Sequence, residues 1–355
     1  MSKIAGKRYT IKDIADMAGV SPATVSRVFS GTPGVNPEKR QEIKDLIKKT
    51  GYHPSSVARS LVRGKTNVVG LIVRDLENQY YSSMAVAFQK ELAKIDYIPM
   101  VMSMNAVADE MGGGNRLSEL IGLFDFAGLF ITVSAKESVL EEALRECSCP
   151  VVLLNRTFNI ECDQVVQNDY RAGAIVAEHL LDLGHRNFLV LGDFKTSISQ
   201  RFRVEGFQQT LAAAGVSLSR ENKLECPMER TEAYKTAKVF FERRKGELPT
   251  AGFIVSNNMA LGFLQACSEA GVRVPDDISV VSGDNPPIMS QPGIDLTTIS
   301  ISLESMASEA VKMLKRRIDG KGTENDLVVL QPELIVRGSS IEAADQKRQK
   351  SGRKK

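Results

Sequence analysis

The chain has 355 residues, 43% of them hydrophobic and 25% charged, a composition typical of a soluble globular protein with two or three domains. Its net charge of +3 conceals an asymmetry, because residues 1–66 carry a surplus of eight positive charges and residues 67–338 a surplus of nine negative charges. Since no apolar run reaches the roughly 18 residues that a membrane span needs and the start is not leader-like, we expect a cytoplasmic, nucleoid-associated protein rather than a membrane-spanning or exported one.

The basic head has the pattern of short helices joined by a tight turn. Thr10 can cap a first helix with one apolar face, and Gly19 can end it because glycine adopts the left-handed conformation without a steric penalty. Ser21 can cap a second helix that runs to Phe29, and a third amphipathic helix follows. Two helices joined in this way predict an all-α helix-turn-helix DNA-binding domain over residues 1–54.

The outer face of the second helix carries short or hydrogen-bonding side chains: Pro22, Ala23, Thr24, Ser26 and Arg27. Such a face suits a helix that enters the major groove, and we expect it to contact DNA together with Thr10 and Ser21. Arg27 can donate two hydrogen bonds to one guanine, a contact worth about 1–3 kcal/mol of base discrimination. Any small three-helix bundle shares the helical pattern, but the positive surplus favours DNA binding.

From residue 68 onward, apolar runs alternate with amphipathic stretches. The predicted strands are Val68–Val73, Ile98–Met102, Gly128–Thr132, Val151–Leu154, Phe188–Leu191, Gly252–Val255 and Ile278–Val281. Alternation of strands and helices predicts parallel sheets covered on both faces, and about 270 residues suffice for two such sheets. Ligands of open α/β sheets bind beyond the carboxyl ends of the strands, so we expect a site between two lobes.

Several segments resemble the lactose-repressor (LacI/GalR) family of bacterial transcription regulators. They include Thr10-Ile11-Lys12-Asp13-Ile14-Ala15, the run from Ala18 to Val28, Gly51-Tyr52-His53-Pro54, Arg203-Val204-Glu205-Gly206-Phe207 and Val274-Pro275-Asp276-Asp277. The likeness covers roughly residues 9–338. It implies a helix-turn-helix head joined to an α/β two-lobed effector domain like the periplasmic binding proteins. It also implies a sequence-specific DNA-binding regulator, most often a repressor, that is controlled by a small molecule.

The resemblance gives residues 55–66 the role of a hinge helix and linker. In the family, two hinge helices enter the minor groove and insert a leucine between base steps, and Leu61 is the residue at that position here. Ala58, in the same segment, is a further candidate for contact with DNA. The resemblance further implies a homodimer, or a dimer of dimers, on a near-palindromic operator. It leaves open whether the effector acts as an inducer or as a corepressor.

The resemblance also marks polar and aromatic positions at predicted strand ends. The candidate effector-binding residues are Tyr80, Tyr81, Asp169, Arg203, Asn257 and Asp284. Carboxylates and a guanidinium suit a polyhydroxylated ligand, so a sugar or sugar phosphate is expected, with a nucleoside or purine as the alternative. The chain departs from the family where Asn257-Asn258 replaces Asn-Asp, and where Ser282-Gly283-Asp284 replaces Gly-Tyr-Asp.

The family architecture implies an effector and dimerisation domain over residues 67–340 whose chain crosses three times between the lobes. Lobe one is expected at about 67–167 and 298–326, lobe two at about 168–295 and 327–340, and a disordered basic tail at 341–355. The five cysteines are expected to be reduced. No metal-binding histidine spacing or nucleophile elbow occurs, so we predict no catalysis, metal or cofactor. An exported sugar-binding protein, the other alternative, would not need a basic head.

Overall fold

The computed structural model describes residues 9–29, 31–52, 66–104, 115–122, 124–132, 137–145, 147–155, 159–244, 247–322 and 324–343. The chain divides into two compact units between Asn67 and Val68. The predicted hinge residues Ala58 and Leu61, and the tail beyond residue 343, lie outside the described residues. Within the described part of the chain, no helix is both long and apolar enough to cross a membrane.

The described residues of the first unit form three helices: α1 (Ile11–Ala18), α2 (Pro22–Phe29) and α3 (Pro37–Thr50). Its small core is built from buried side chains of all three helices and the residue after Gly51: Ile14, Ala15, Ala18, Val25, Val28, Ile43 and Tyr52. Gly19 ends α1 with a φ of 62°, the left-handed conformation that the sequence pattern predicts. The predicted helix-turn-helix pair is therefore present.

In the second unit, the described residues form two six-stranded sheets. The first sheet has the order β11-β5-β4-β3-β1-β2, and every neighbouring pair is parallel. Its strands are β1 (Val68–Val73), β2 (Ile98–Ser103), β3 (Gly128–Thr132), β4 (Val151–Asn155), β5 (Asp163–Gln167) and β11 (Leu327–Leu330). The helices of this lobe are α4 (Gln79–Ala93), α5 (Asn115–Gly122), α6 (Glu137–Arg145) and α11 (Leu303–Ile318).

The second sheet has the order β12-β10-β9-β8-β6-β7, with β12 antiparallel to β10 and the other pairs parallel. Its strands are β6 (Phe188–Gly192), β7 (Lys223–Glu225), β8 (Ala251–Ile254), β9 (Ser279–Ser282), β10 (Thr297–Ser300) and β12 (Glu333–Ile335). Its helices are α7 (Asp169–Asp182), α8 (Ile198–Ala213), α9 (Arg230–Arg243) and α10 (Asn257–Glu269). Separate apolar clusters cover the two faces of each sheet, as expected for parallel strands.

The predicted two-sheet architecture is confirmed, but two of the expected lobe boundaries are wrong by a few residues. Strand β10 belongs to the second sheet, although residues from 298 were assigned to lobe one. Strand β11 belongs to the first sheet, although residues from 327 were assigned to lobe two. The chain therefore crosses after Gln167, after Ser300 and after Leu330. Each of these late strands is a short run that could complete either sheet, so local pattern does not assign it.

Candidate functional site

A cleft lies between the two sheets, at the carboxyl ends of their strands. Thr132, Asn155 and Gln167 are the last residues of β3, β4 and β5, and all three line this cleft. Arg203 and Asp284 line it from the second lobe. The cleft holds about 600 Å³ of space free of protein atoms when its open mouth is included.

Arg203 is the centre of a buried ionic cluster in this cleft. Its Nε donates to Oδ1 of Asp169 at 2.8 Å, and its Nη2 donates to Oδ1 of Asp284 at 3.0 Å. Its Nη1 donates to the carbonyl oxygen of Val255 at 3.1 Å. The side chain is only 4% exposed, so these contacts are made away from bulk water. The structure thus brings together three residues that the sequence analysis placed in one site.

Two glycines make the Arg203–Asp169 contact possible, because they let α7 and α8 approach closely. A β-carbon at Gly173 would come within 1.6 Å of the carbonyl oxygen of Arg203, and one at Gly206 within 2.0 Å of the carbonyl oxygen of Tyr170. Both distances are far shorter than any real contact, so only glycine fits at either position. The close crossing holds the first residue of α7, Asp169, against Arg203 in α8.

The third member of the cluster depends on an unusual backbone conformation. Asp284 has a φ of 62°, in the left-handed region that few residues other than glycine adopt. Beside it, a β-carbon at Gly283 would lie 2.1 Å from the carbonyl oxygen of Val255 and 2.5 Å from Nη1 of Arg203. Gly283 therefore leaves room for the guanidinium of Arg203. The left-handed backbone of Asp284 directs its carboxylate towards that guanidinium.

The cluster carries two carboxylates and one guanidinium. Burial raises the pKa of Asp169 to about 6, and this effect outweighs the opposing charge and hydrogen bond of Arg203. Burial would lower the pKa of Arg203, but the negative charges of Asp284 and Asp169 raise it above the usual value. Arg203 therefore stays protonated, and with both carboxylates ionised the cluster has one uncompensated negative charge.

Tyr80 and Tyr81 also line the cleft, as predicted from the family resemblance. The Tyr80 hydroxyl donates to Oδ1 of Asn155 at 2.8 Å, and Nδ2 of Asn155 donates in turn to Oγ1 of Thr132. The two tyrosine rings meet edge to face with centroids 5.2 Å apart. Burial raises the pKa of Tyr80 well above 10 and that of Tyr81 to about 12, so both phenols are protonated donors near neutral pH.

Two buried amide atoms at the cleft have no hydrogen-bond partner among the described residues. They are Nε2 of Gln200, at the start of α8, and Oε1 of Gln167, at the end of β5. Gln200 is oriented by its own oxygen, which accepts from the backbone N–H of Asp193 at 2.7 Å. Because buried polar groups are normally paired, Nε2 of Gln200 marks a place for an acceptor of a bound molecule or water, and Oε1 of Gln167 a place for a donor.

Two of the predicted effector residues, Asn257 and Asp169, do not themselves line the cleft; Asp169 lies behind Arg203, and Asn257 behind Asn78. Asn257 is the first residue of α10, and its Nδ2 donates to Oδ1 of Asn78, a residue of the cleft wall, at 3.3 Å. Its own Oδ1 is buried without a partner among the described residues. The amide is therefore placed to orient Asn78 rather than to face the open cleft.

The face of α2 is open as the sequence analysis predicted. Pro22, Ala23 and Arg27 are exposed, while Val25 and Val28 of the same helix are buried in the three-helix core. Thr24 and Ser26 are half-buried.

Two of the predicted DNA-contacting hydroxyls also serve as helix caps. Oγ1 of Thr10 accepts from the Asp13 backbone N–H in a capping box. Oγ of Ser21 accepts from the Thr24 backbone N–H at 3.2 Å. The capping role of Thr10 and Ser21 follows from their position before each helix, and contact with DNA stays a prediction for both.

Several residues of the cleft were missed by the sequence analysis: Asn78, Thr132, Asn155, Gln167, Ser197, Ser199, Gln200, Met228 and Ser256. Thr132, Asn155 and Gln167 end strands, and Ser256 follows one by two residues. The rule that ligands bind at carboxyl ends of parallel strands could have singled these out as polar residues after apolar runs. No comparable local signal marks Gln200, which lies inside a helix.

Comparisons with known proteins agree with this architecture. Residues 10–55 match the family model described as bacterial regulatory proteins, lacI family, and residues 177–340 match the model described as periplasmic binding protein-like domain. The HTH-type transcriptional repressor PurR of Mannheimia succiniciproducens is 31% identical over 93% of this chain and 98% of its own length. Catabolite control protein A of Priestia megaterium is 27% identical over 93% of this chain and 99% of its own.

Solved structures show the same fold. The Lac repressor dimer bound to operator and the anti-inducer ONPF has a TM-score of 0.82 at 23% identity, covering 94% of this chain and 100% of that one. The transcriptional regulator CelR in complex with cellobiose has a TM-score of 0.69 at 24% identity, again covering 94% and 100%. At this level of identity, the likeness establishes the fold and not the ligand.

Proposed function

The chain belongs to the lacI family of bacterial regulatory proteins, which are DNA-binding transcription regulators, and we propose that it represses transcription under the control of a small molecule. In this proposal the molecule binds in the cleft between the two sheets. The observation that carries the proposal is the convergence there of the buried Arg203 cluster with the two unpartnered amide atoms of Gln167 and Gln200. Buried polar atoms are normally paired, so two unpaired ones in a single cleft support binding of a polar molecule there.

DNA recognition is assigned to the head, over residues 1–54. The exposed face of α2 would lie in the major groove, with Arg27 reaching base edges and Ala23 making apolar contact. Residues 55–66 would form the hinge, with Ala58 and Leu61 at the minor groove, as the family resemblance implies. The operator would be near-palindromic because two identical heads read it.

A homodimer is supported by the apolar surface of the first lobe. Strand β2 is an edge strand of its sheet, and its first residue, Ile98, is 49% exposed. Helix α4, which packs against β2, exposes Val86 to 51%. An open strand edge bordered by exposed apolar side chains is a surface that proteins usually cover, and a second copy of the chain would cover it.

The charge of the cleft favours a neutral, hydroxyl-rich effector such as a sugar. Among the described residues that line the cleft, Arg203 is the one cation, and two carboxylates already face it. A phosphate group would bring further negative charge to a site whose guanidinium is already paired with two carboxylates. Binding of sugar phosphates is therefore disfavoured. Purines and nucleosides remain the alternative from another ligand class.

The arrangement of the unpartnered atoms suggests how an effector acts. Gln167 belongs to the first lobe and Gln200 to the second, so one molecule that bonds to both would hold the lobes in a single relative position. We propose that this change in lobe geometry biases the DNA-bound state. A coupling of this kind is commonly about 1–3 kcal/mol and is reciprocal between effector and operator.

The test uses the full-length protein in two steps. Selection from a genomic fragment library at moderate salt identifies the preferred duplex, and a thermal-shift screen of neutral sugars, sugar phosphates and purine bases identifies the effector class. We expect one near-palindromic sequence to be enriched and its affinity to change when a neutral sugar binds. The proposed function would be overturned if the protein showed no preference for any DNA sequence, whichever compound of the screen is present.

A further inference from the structure

Two cysteines lie close together in the first lobe. In the sequence they are distant from the residues of the second lobe that line the cleft. Sγ of Cys147 is 3.5 Å from Sγ of Cys149, and the two thiols share a hydrogen bond. Both side chains are partly exposed, and Ser148 between them is exposed. The pair precedes β4, whereas Asn155 at the other end of that strand lines the cleft.

The fold holds both ends of this short segment. The backbone N–H of Cys147 donates to the carbonyl oxygen of Leu144 at 3.1 Å, which ties it to the end of α6. The carbonyl oxygen of Pro150 accepts from the backbone N–H of Leu129 at 2.9 Å, which ties it to β3. Both thiols pack against the apolar cluster on that face of the sheet. Contacts with α6, β3 and this apolar cluster therefore anchor the segment that carries the two thiols.

We propose that Cys147 and Cys149 form a redox-active dithiol, which hydroperoxides oxidise to an intramolecular disulfide while the other three cysteines are spared. The sulfur atoms are 3.5 Å apart and have to move about 1.5 Å closer to reach bonding distance. The site is independent of the effector cleft and of the proposed repressor function.

The reaction balances without any group beyond the hydroperoxide. The thiolate of Cys147 attacks one peroxide oxygen and becomes a sulfenic acid, while the other oxygen leaves as the alcohol, or as water when the oxidant is hydrogen peroxide. The thiol of Cys149 then attacks this sulfur, and water leaves as the disulfide forms. Two thiols are oxidised and one peroxide bond is reduced.

The pKa values of the cysteines support the role of Cys147 as the thiolate that attacks the peroxide. The hydrogen bond from the Cys149 thiol lowers the pKa of Cys147 to about 7, so much of this thiol is ionised at neutral pH. Burial raises the pKa of Cys162 to about 12, that of Cys226 to about 11 and that of Cys267 to about 12. These three thiols react slowly because little thiolate is present.

Tryptic mapping of the full-length protein tests the proposal directly. Cleavage after Arg145 and Arg156 releases residues 146–156, which contain both cysteines of the pair and none of the others. After treatment with hydrogen peroxide and then iodoacetamide, we expect this peptide to be lighter by two hydrogen atoms and not alkylated. Reduction with dithiothreitol before alkylation should restore two alkyl groups, and the other cysteines should alkylate fully after unfolding.

Two variants make the result specific. Cys149→Ser should stop the reaction at the sulfenic acid of Cys147, which dimedone traps, whereas Cys226→Ser should oxidise like the wild type. The proposal is overturned if the peroxide-treated peptide carries two alkyl groups. It is equally overturned if Cys147 forms a disulfide with Cys162, or if Cys147 in the untreated protein alkylates less than about tenfold faster than Cys162 at neutral pH.

Discussion

Gly173 of α7 lies so close to Arg203 of α8 that a β-carbon at position 173 would be 1.6 Å from the carbonyl oxygen of Arg203. This contact holds the two helices together at the point where Asp169 meets the guanidinium. The geometry of the proposed effector site is thus determined partly by a residue that carries no side chain.

The first prediction concerns this helix contact. Gly173→Ala should lower the free energy of unfolding by more than the roughly 1–3 kcal/mol usual for overpacking, because the new methyl group meets backbone that cannot move aside. Gly252→Ala is the matched control, since its β-carbon would meet side chains at an ordinary 3.6 Å. Urea unfolding measures both, and equal stability of the two variants would contradict the role given to Gly173.

The second prediction concerns the pH dependence of stability. Burial raises the pKa of Asp169 to about 6, above its ordinary value of about 4 in the unfolded chain. Between these two values the unfolded chain has lost this proton while the folded chain keeps it. Ionisation then favours the unfolded state, so the contribution of Asp169 to stability falls as the pH rises from about 4 to about 6.

Other carboxyl groups titrate in the same range, so the comparison must be with Asp169→Asn. We expect the wild type to lose stability relative to this variant as the pH rises through the window, by up to about 3 kcal/mol. Chemical unfolding at several pH values measures the difference. Parallel stability curves for the two proteins would show that Asp169 is not perturbed.

The third prediction concerns the unpartnered donor in the cleft. Gln200→Glu keeps an oxygen for the Asp193 backbone N–H but replaces the Nε2 donor with a second oxygen. We expect it to weaken binding of the effector found in the screen by at least about tenfold, since a lost hydrogen bond to a buried group costs about 1–3 kcal/mol. Operator affinity without effector should be unchanged.

Gln209→Glu provides the control for added charge, because Gln209 is an exposed residue of the same helix. Calorimetric titration of both variants measures the effect. If both lose affinity alike, long-range charge and not the Gln200 donor accounts for the change.

The fourth prediction concerns DNA recognition. Arg27→Ala should cost about 1–3 kcal/mol on the preferred operator and relax the preference at one base pair in each half-site. Gel-shift measurements on a set of singly substituted operators would show this pattern. A loss that is equal on all sequences and that reduces the salt dependence would instead identify a phosphate contact.

The fifth prediction concerns self-association. Ile98→Lys places a charge at the exposed start of edge strand β2, where we propose that a second copy docks. Sedimentation velocity should show the wild type as a dimer and this variant shifted towards monomer. Val239→Lys changes an apolar residue of α9 that is 41% exposed, and it should leave the dimer intact. A dimer that survives Ile98→Lys would place the interface elsewhere.

The sequence by itself determined the features that depend on local order along the chain. Capping residues, apolar spacing and a glycine that can take a positive φ define the first two helices, and each begins and ends where the pattern predicts. Long apolar strands such as Val68–Val73 and Gly128–Thr132 were located without error, because buried parallel strands need continuous apolar runs. Family motifs placed Asp169, Arg203 and Asp284 in one site.

Only the tertiary structure decided which residues meet across long separations. Arg203 and Asp284 are 81 positions apart, and Gln167 and Gln200 become notable only once the fold leaves one atom of each without a partner among the residues that the structure describes. The sheets that receive β10 and β11 were likewise predicted wrongly, since a run of four residues satisfies either sheet. The local periodicity of the sequence shows which face of a helix or strand is buried. Which polar residues meet at the strand ends is decided only when the sheets assemble.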